Sequence, residues 1–381
     1  MVFFDIESLC KSANLEIGKS KIISSHRFLS IAANKFVNGK HVKKCWIVEN
    51  DSETAQLKIV QMFLDFCRDA RSEILVPEDV RSCHKMLKQN SKQMLNKSKD
   101  FRHDEIFAMK RILESFIELP IFGFNSSRYD NNIIFKLIVQ CLDNLSEKEN
   151  PNKFRADSMQ ILKKGTKYFS IKFENLHFKD LLNFTCPMSL DIYLKTWTTE
   201  FEKLVYPYEL FQNILEIKNC IDFPPIEAFT TSIKGSIDEK MYQRCCDLYN
   251  FHRSLPEDHP EHWKNFENYL EHYNLSDVYP ASVGLIKQFK VFENNFKASP
   301  MQFLGLPSFA LESMFNLYDK NCANIFSFPP NSDGTKIFRE QIIGGLVNVM
   351  KRHVTLLDEP ASDRAKFNIK GKFFFLELFL E

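Results

Sequence analysis

The sequence predicts an α/β fold, in which helices flank a mixed β-sheet. Segments with the patterns of strands alternate along the chain with segments of helical periodicity. The strand-like segments are 1–8, 26–50, 118–124 and 166–185. The helix-like segments are 53–72, 133–142, 238–253 and 262–294. Strands that come first and then alternate with helices are typical of a layered domain built on one sheet.

The first hundred residues supply strands and then helices. Residues 1–8 predict a short buried strand that carries two acidic side chains, and 26–50 predict further strands around a lysine-rich turn near Gly39. Residues 53–72 have apolar side chains at helical spacing, which predicts a helix. Residues 81–105 are polar and basic, which favours a solvated helix or loop over a surface that faces DNA.

The middle of the chain begins with the apolar segment 118–124. It predicts a buried strand with Pro120 near its start, where a missing backbone donor is tolerated. Residues 166–185 predict a hairpin that turns at Glu174-Asn175. Four prolines divide 186–235, so short pieces of structure are expected there.

Composition excludes several classes of protein. The chain has 381 residues, of which 44% are hydrophobic and 26% charged, values typical of a globular protein with a sizeable core. The net charge of +1 argues against a broadly basic nucleic-acid coat, although a local basic groove would not change the total. None of the ten cysteines forms a CxxC pair, which argues against a zinc site of the usual spacing.

The sequence also bears on location. It starts without a signal peptide and has no apolar run of transmembrane length. We therefore predict an intracellular protein that does not contact membranes, and leave the nucleus, the cytoplasm and the mitochondrion open.

A first acidic motif, Asp5-Ile6-Glu7, lies inside the first predicted strand. Side chains two positions apart in a strand point to the same face, so the two carboxylates would repel each other. Burying such a pair is costly unless a cation neutralises it, and divalent cations prefer oxygen ligands. On this motif alone a solvated strand end is the simpler interpretation. The same spacing at Asp51-Ser52-Glu53 lies in a polar stretch without a strand.

A second motif, FGFNSSRYD, follows the strand-like segment that ends at Phe124. Asn125 begins a polar turn, and Tyr129 and Asp130 lie at the start of the next helix. An aspartate at this position can cap the helix by accepting from its first amides, which is a common structural role. The functional interpretation is a metal ligand that acts through water.

A third motif places Tyr273 four residues before Asp277 in a segment of helical periodicity. Residues at this spacing share one face of a helix, so the phenol and the carboxylate would point together. A tyrosine–aspartate pair on a helix surface is the alternative interpretation.

The three motifs together resemble the 3′→5′ exonuclease domain of family-B DNA polymerases. The similarity is greatest to the protein-primed branch of phages, adenoviruses, linear organellar plasmids and Polinton or Maverick transposons. Three further segments support it. The first, CPMSLDIYLKTW from Cys186, resembles an S/T-L-x-x-h segment of that branch. The second, VYPYELF from Val205, resembles an F-P-Y element. The third, Ile342-Ile343-Gly344-Gly345, is similar to a Y-x-G-G link, with Ile342 in place of tyrosine.

The resemblance implies a ribonuclease H-like mixed sheet with flanking helices at 1–300. It implies a linker and the truncated start of a polymerase palm at 301–381, where 323–381 carries a Pro-Pro, an Asp-Gly and a Gly-Gly step. The polymerase motifs are absent, so we expect a fragment without polymerase activity. The implied DNA-binding residues are Phe124, Asn125, Tyr129, Ser189, Leu190, Gly344 and Gly345.

The resemblance also implies two-metal hydrolysis. Two divalent cations, Mg²⁺ or Mn²⁺, would be held by Asp5, Glu7, Asp130 and Asp277, with Tyr273 and Glu7 orienting the attacking water. The implied partners are the single-stranded 3′ terminus of DNA and a terminal priming protein. Two alternatives stay open: a self-standing DNA or RNA exonuclease, and a catalytically silent remnant that binds DNA or the priming protein.

Overall fold

Seven strands form the sheet of the computed structural model, which describes residues 1–17, 20–97, 103–149, 159–198, 201, 203–230 and 235–317. The described strands are β1 (Val2–Ile17), β2 (Ser20–Val37), β3 (Lys40–Ile47), β4 (Leu119–Gly123), β5 (Gln160–Lys164), β6 (Lys167–Phe173) and β7 (Leu176–Asp180). The first strand is longer than the 1–8 that the sequence predicts.

The strand order is β3-β2-β1-β4-β7-β6-β5. The central strands β1, β4 and β7 run parallel, whereas β2 is antiparallel to both β1 and β3, and β6 is antiparallel to β7 and β5. The prediction of an α/β fold with a mixed sheet and flanking helices is confirmed at this level.

Nine α-helices lie in the described part of the chain. They are α1 (Glu53–Ser72), α2 (Glu78–Lys97), α3 (His103–Ile117), α4 (Asp130–Glu149), α5 (Leu190–Trp197), α6 (Ile214–Asn219), α7 (Glu239–Ser254), α8 (Phe266–Phe296) and α9 (Leu306–Leu317). The predicted helices at 53–72, 238–253 and 262–294 are confirmed to within a few residues. None of these helices is long and apolar enough to cross a membrane.

The predicted hairpin turn at Glu174-Asn175 joins β6 to β7. Both residues have positive φ angles, 47° and 63°, as a two-residue turn between twisted antiparallel strands requires. Asn38 and Gly39 make the corresponding turn between β2 and β3, with φ angles of 51° and 78°. Asparagine and glycine tolerate this conformation, which favours the turn at Asn38-Gly39 and the second position of the turn at Glu174-Asn175.

Alternation along β1 divides its side chains between two layers. Val2, Phe4 and Ile6 pack in the core that includes α1 and α4. Phe3 packs on the other face, in the core that includes α5 and α8. Since Asp5 and Glu7 follow Phe3 at intervals of two, both acids lie on the face that α8 covers.

Two buried hydrogen bonds dock α8 on β2. The amide of Asn274 donates to the hydroxyl of Ser30 over 2.7 Å, and the amide of Asn34 donates to the hydroxyl of Ser282 over 2.8 Å. Eight helical residues span about 12 Å and four strand residues about 13 Å, so both bonds form in a single register. This register fixes the position of every α8 side chain along the strands of the sheet.

A second buried polar network links β6, β7 and the end of α3. Nε2 of His177 is 2.9 Å from the hydroxyl of Ser170, and Nδ1 is 2.9 Å from the carboxylate of Glu118. Burial lowers the pKa of His177 to about 4, so the ring is neutral near pH 7. The order of the bonds matches a serine-hydrolase triad, but Ser170 and His177 are 5% and 4% exposed, which leaves a substrate no approach. The network is structural.

The chain divides into two units, Met1–Asp319 and Lys320–Glu381. The predicted boundary at residue 300 stays a prediction, and helix α9 belongs to the first unit. The predicted linker beyond residue 317, with Gly344 and Gly345, lies outside the described residues.

Candidate metal centre

Three carboxylates converge on the α8 face of the sheet. Oxygen atoms of Asp5, Glu7 and Asp277 all lie within 4.8 Å of one another. Glu7 and Asp277 are 5% and 3% exposed, and Asp5 is half-buried. The pairing of β1 with β2 shifts register immediately after Glu7, and such bulges often re-aim side chains beside functional sites.

Helix α8 delivers Asp277 to this cluster. Asn274, one turn earlier, is bonded to Ser30, and Ser30 is the cross-strand partner of Glu7. The same bond that docks the helix therefore sets the distance between the carboxylates of Asp277 and Glu7.

The turn between β4 and α4 supplies a fourth acid, Asp130. The turn is tight: a side chain at Gly123 would place its Cβ 2.6 Å from that of Ser126. Asn125 adopts a left-handed conformation with a φ of 59°. The carboxylate of Asp180 accepts hydrogen bonds from the amides of Asn125 and Ser127, each over 3.0 Å. Asp180 thus accepts from two backbone N–H groups of the turn, and helix α4 begins at Asp130.

Asp130 lies beside the three converging carboxylates and outside their 4.8 Å set. Burial raises its pKa well above the usual range, and the charges on Asp5, Glu7 and Asp180 raise it further. The structure therefore brings together three of the four acids that the sequence predicts as metal ligands, Asp5, Glu7 and Asp277. Asp130 lies near enough for the charges on Asp5 and Glu7 to raise its pKa.

Residues 203–208, with Phe201 before them, form a covering segment that runs along α8 in the opposite direction. The ring of Phe201 meets that of Tyr279 edge-on, with centroids 5.6 Å apart. The carbonyl of Val205 accepts from the hydroxyl of Tyr269 over 2.6 Å. Between these contacts Lys203 points at the acid cluster. The covering segment thereby closes one side of the site.

Lys203 brings a positive charge to the cluster. Its Nζ lies 3.6 Å from Oδ2 of Asp277. Burial works to lower the pKa of Lys203, but the charges on Asp277, Asp5 and Glu7 outweigh it and raise the pKa overall. Sequence analysis did not single out this lysine. The only local signal was its position just before the VYPYELF segment.

Tyr273 shares a face of α8 with Asp277, as its spacing predicts. Its hydroxyl lies 2.6 Å from that of Tyr208, and its ring stacks on Tyr206 with centroids 5.3 Å apart. Burial and the charge on Asp277 raise the pKa of Tyr273 well above its usual range. The phenol stays protonated, so it can donate a hydrogen bond but does not act as a base.

The predicted DNA-binding residues fall into two groups. Phe124, Asn125 and Tyr129 lie at the turn beside the acids, and Tyr129 remains 37% exposed. Ser189 caps α5 by accepting from the amide of Ile192 over 3.3 Å. Leu190 is buried in the core against α8. Helix capping and packing account for the last two, and their contact with DNA stays a prediction.

No protein-family description matches the chain, and no curated protein matches it.

Proposed function

We propose that this chain is a divalent-metal-dependent 3′→5′ exonuclease that acts on the single-stranded 3′ terminus of DNA. The observation that carries the proposal is the convergence of Asp5, Glu7 and Asp277, with Asp130 beside them, from three separate parts of the chain. We place this activity in the N-terminal part of a protein-primed family-B DNA polymerase, on the motif resemblance.

The donor set fits hard divalent cations. Carboxylates confined within 4.8 Å repel one another in a buried setting unless positive charge balances them. Oxygen-only ligands suit Mg²⁺ and Mn²⁺. Asp5, Glu7 and Asp277 would hold one cation, and Asp130 with Asp5 a second. When bound, such ions lower the pKa of water and stabilise the oxygen that leaves phosphorus.

The chain's own groups supply the remaining chemistry. The protonated phenol of Tyr273 would donate a hydrogen bond to the attacking water, and Glu7 would accept a proton from it. Lys203 holds a positive charge where negative charge develops on the phosphate. Tyr208 fixes the phenol of Tyr273 through their hydroxyl contact.

The sheet supports a ribonuclease H-like assignment. In the run β3-β2-β1-β4-β7, β2 alone is antiparallel to its neighbours.

The exposed aromatic ring of Tyr129 and the half-buried ring of Phe124 lie at the mouth of the site. Stacking on such rings accepts any base, as removal of an unpaired 3′ nucleotide requires.

The test is degradation of a 5′-labelled single-stranded oligonucleotide with Mg²⁺ or Mn²⁺. We expect a ladder that shortens from the 3′ end, and Asp5→Asn and Asp277→Asn to lower kcat by at least about 100-fold. Asp247→Asn, an exposed acid on α7, is the matched control and should leave the rate unchanged. A ladder that survives both cluster variants at the native rate would reject the assignment.

One observation favours a second function, a DNA-binding protein without catalysis. Lys203 already places a cation 3.6 Å from Asp277 and could balance the acids without a metal. Titration calorimetry with Mn²⁺ separates the two proposals, because the exonuclease requires metal binding that Asp5→Asn and Asp277→Asn weaken.

A further inference from the structure

Three polar side chains from three elements meet beside the metal centre. The hydroxyl of Ser8 on β1 lies 2.6 Å from the hydroxyl of Tyr129 and 3.0 Å from Nδ1 of His26 on β2. The Tyr129 hydroxyl lies 2.9 Å from the same nitrogen. Ser8 directly follows Glu7, and Tyr129 directly precedes Asp130. This hydrogen-bonded triangle therefore ties together the two segments that carry three of the four acids.

The triangle fixes the ring of Tyr129 without covering it. The rings of His26 and Tyr129 meet edge-on, with centroids 5.4 Å apart and planes at 84°. Tyr129 nevertheless stays 37% exposed, which leaves part of the ring open beside the site.

We infer that His26 is a positioning residue for the DNA strand. It holds Tyr129 and Ser8 so that the exposed part of the Tyr129 ring contacts a nucleotide near the 3′ terminus. The inference rests on the proposed function for its substrate, single-stranded DNA. His26 belongs to none of the sequence motifs, and it reaches Tyr129 only because β2 pairs with β1.

A purely structural role for this triangle predicts a different outcome. His26 is exposed, and hydrogen bonds at exposed positions contribute little to folding because water replaces them. A structural role would therefore leave DNA binding unchanged. A positioning role predicts weaker binding with unchanged chemistry.

The experiment measures binding of a fluorescent single-stranded oligonucleotide to the full chain in Ca²⁺, with the DNA checked for integrity on a gel. His26→Leu should raise Kd roughly 3- to 20-fold, from the loss of one or two hydrogen bonds, and leave kcat with Mg²⁺ within about twofold. His26→Asn should recover most of the affinity, because its side-chain amide offers a polar atom near the position of Nδ1. Tyr129→Phe should match His26→Leu, and the double variant should be no worse than either alone.

Each result bears on the inference separately from the proposed function. An unchanged Kd for His26→Leu, or equal losses in His26→Leu and His26→Asn, would overturn it, and so would a native chain that does not bind the oligonucleotide. Binding that depends on His26 in a chain that never cuts DNA would support the inference and reject the exonuclease. If His26→Leu fails to fold, the comparison of Tyr129→Phe with His26→Asn carries the same test.

Discussion

Replacing Lys203 by methionine tests whether the acids form a site for cations. The lysine Nζ lies 3.6 Å from Asp277, and its side chain is 27% exposed against 4% for the aspartate. At this distance the Coulomb attraction is about 5 kcal/mol for an effective dielectric constant of 20, and about 1 kcal/mol in water. Neighbouring carboxyls can take up protons when the lysine is lost, which limits the effect. We expect Lys203→Met to destabilise the metal-free protein by about 1–3 kcal/mol.

The same substitution should strengthen metal binding. Removing one positive charge makes the potential at Asp5, Glu7 and Asp277 more negative, so the Kd for Mn²⁺ should fall about tenfold, equivalent to about 1.4 kcal/mol. Thermal melts in EDTA and in Mn²⁺ measure both effects. The variant should melt about 2–6 °C below the native chain in EDTA and recover most of the difference in Mn²⁺.

Lys195→Met is the matched control. Lys195 lies closer to its partner, at 2.7 Å from Asp191, but its side chain is 72% exposed. Water screens such a surface pair, so the melting temperature should change by less than about 1 °C under both conditions. Equal effects of the two substitutions, or a loss in Lys203→Met that Mn²⁺ does not restore, would refute the reasoning.

Three further outcomes are expected. Tyr206→Phe keeps the ring and removes a buried hydroxyl with no hydrogen-bond partner among the described residues. Stability in denaturant melts should therefore stay unchanged or rise by up to about 1 kcal/mol. A loss above about 1 kcal/mol would contradict this. His177 binds a proton more weakly in the folded chain than in the unfolded chain, so stability should fall as pH drops from about 6.5 toward 4. In His177→Gln, the free energy of unfolding should fall by roughly 1–3 kcal/mol less than in the native chain over this pH range, as measured by urea unfolding. An unchanged dependence of stability on pH would contradict this. Gly123→Ala should lower stability by about 1–3 kcal/mol and weaken nuclease activity, since its Cβ would clash with Ser126; equal stability and activity would contradict it.

Much of the fold could be predicted because its signals are local. The helix at 53–72 follows from apolar spacing, and the hairpin follows from two strand-like segments around a polar turn with Asn175, a residue type that accepts a positive φ. Asp5 and Glu7 share a face because any strand alternates its side chains. The order of the three acidic motifs is also visible in the sequence, whereas their convergence depends on the docking of α8 on the sheet.

The rest of the site could not be predicted because its contacts join distant segments. Lys203 and His26, the partners of Asp277 and Tyr129, lie in no motif. Tyr208 lies in VYPYELF, but nothing in that segment indicates its contact with Tyr273. The turn before α4 shows the same limit. Its amides are satisfied by Asp180, which is brought there by the pairing of β4 with β7 and not by local sequence.

The docking of α8 has a consequence for the chain during synthesis. Asp5 and Asp277 are 272 positions apart (277 − 5), and the bonds from Asn274 to Ser30 and from Asn34 to Ser282 hold α8 in the register that brings them together. A slip of α8 by one turn would carry Asp277 about 5.4 Å away from its partners. A growing chain that has not yet made and seated α8 therefore lacks the assembled centre. If the centre cuts DNA, that activity begins only once the domain is complete.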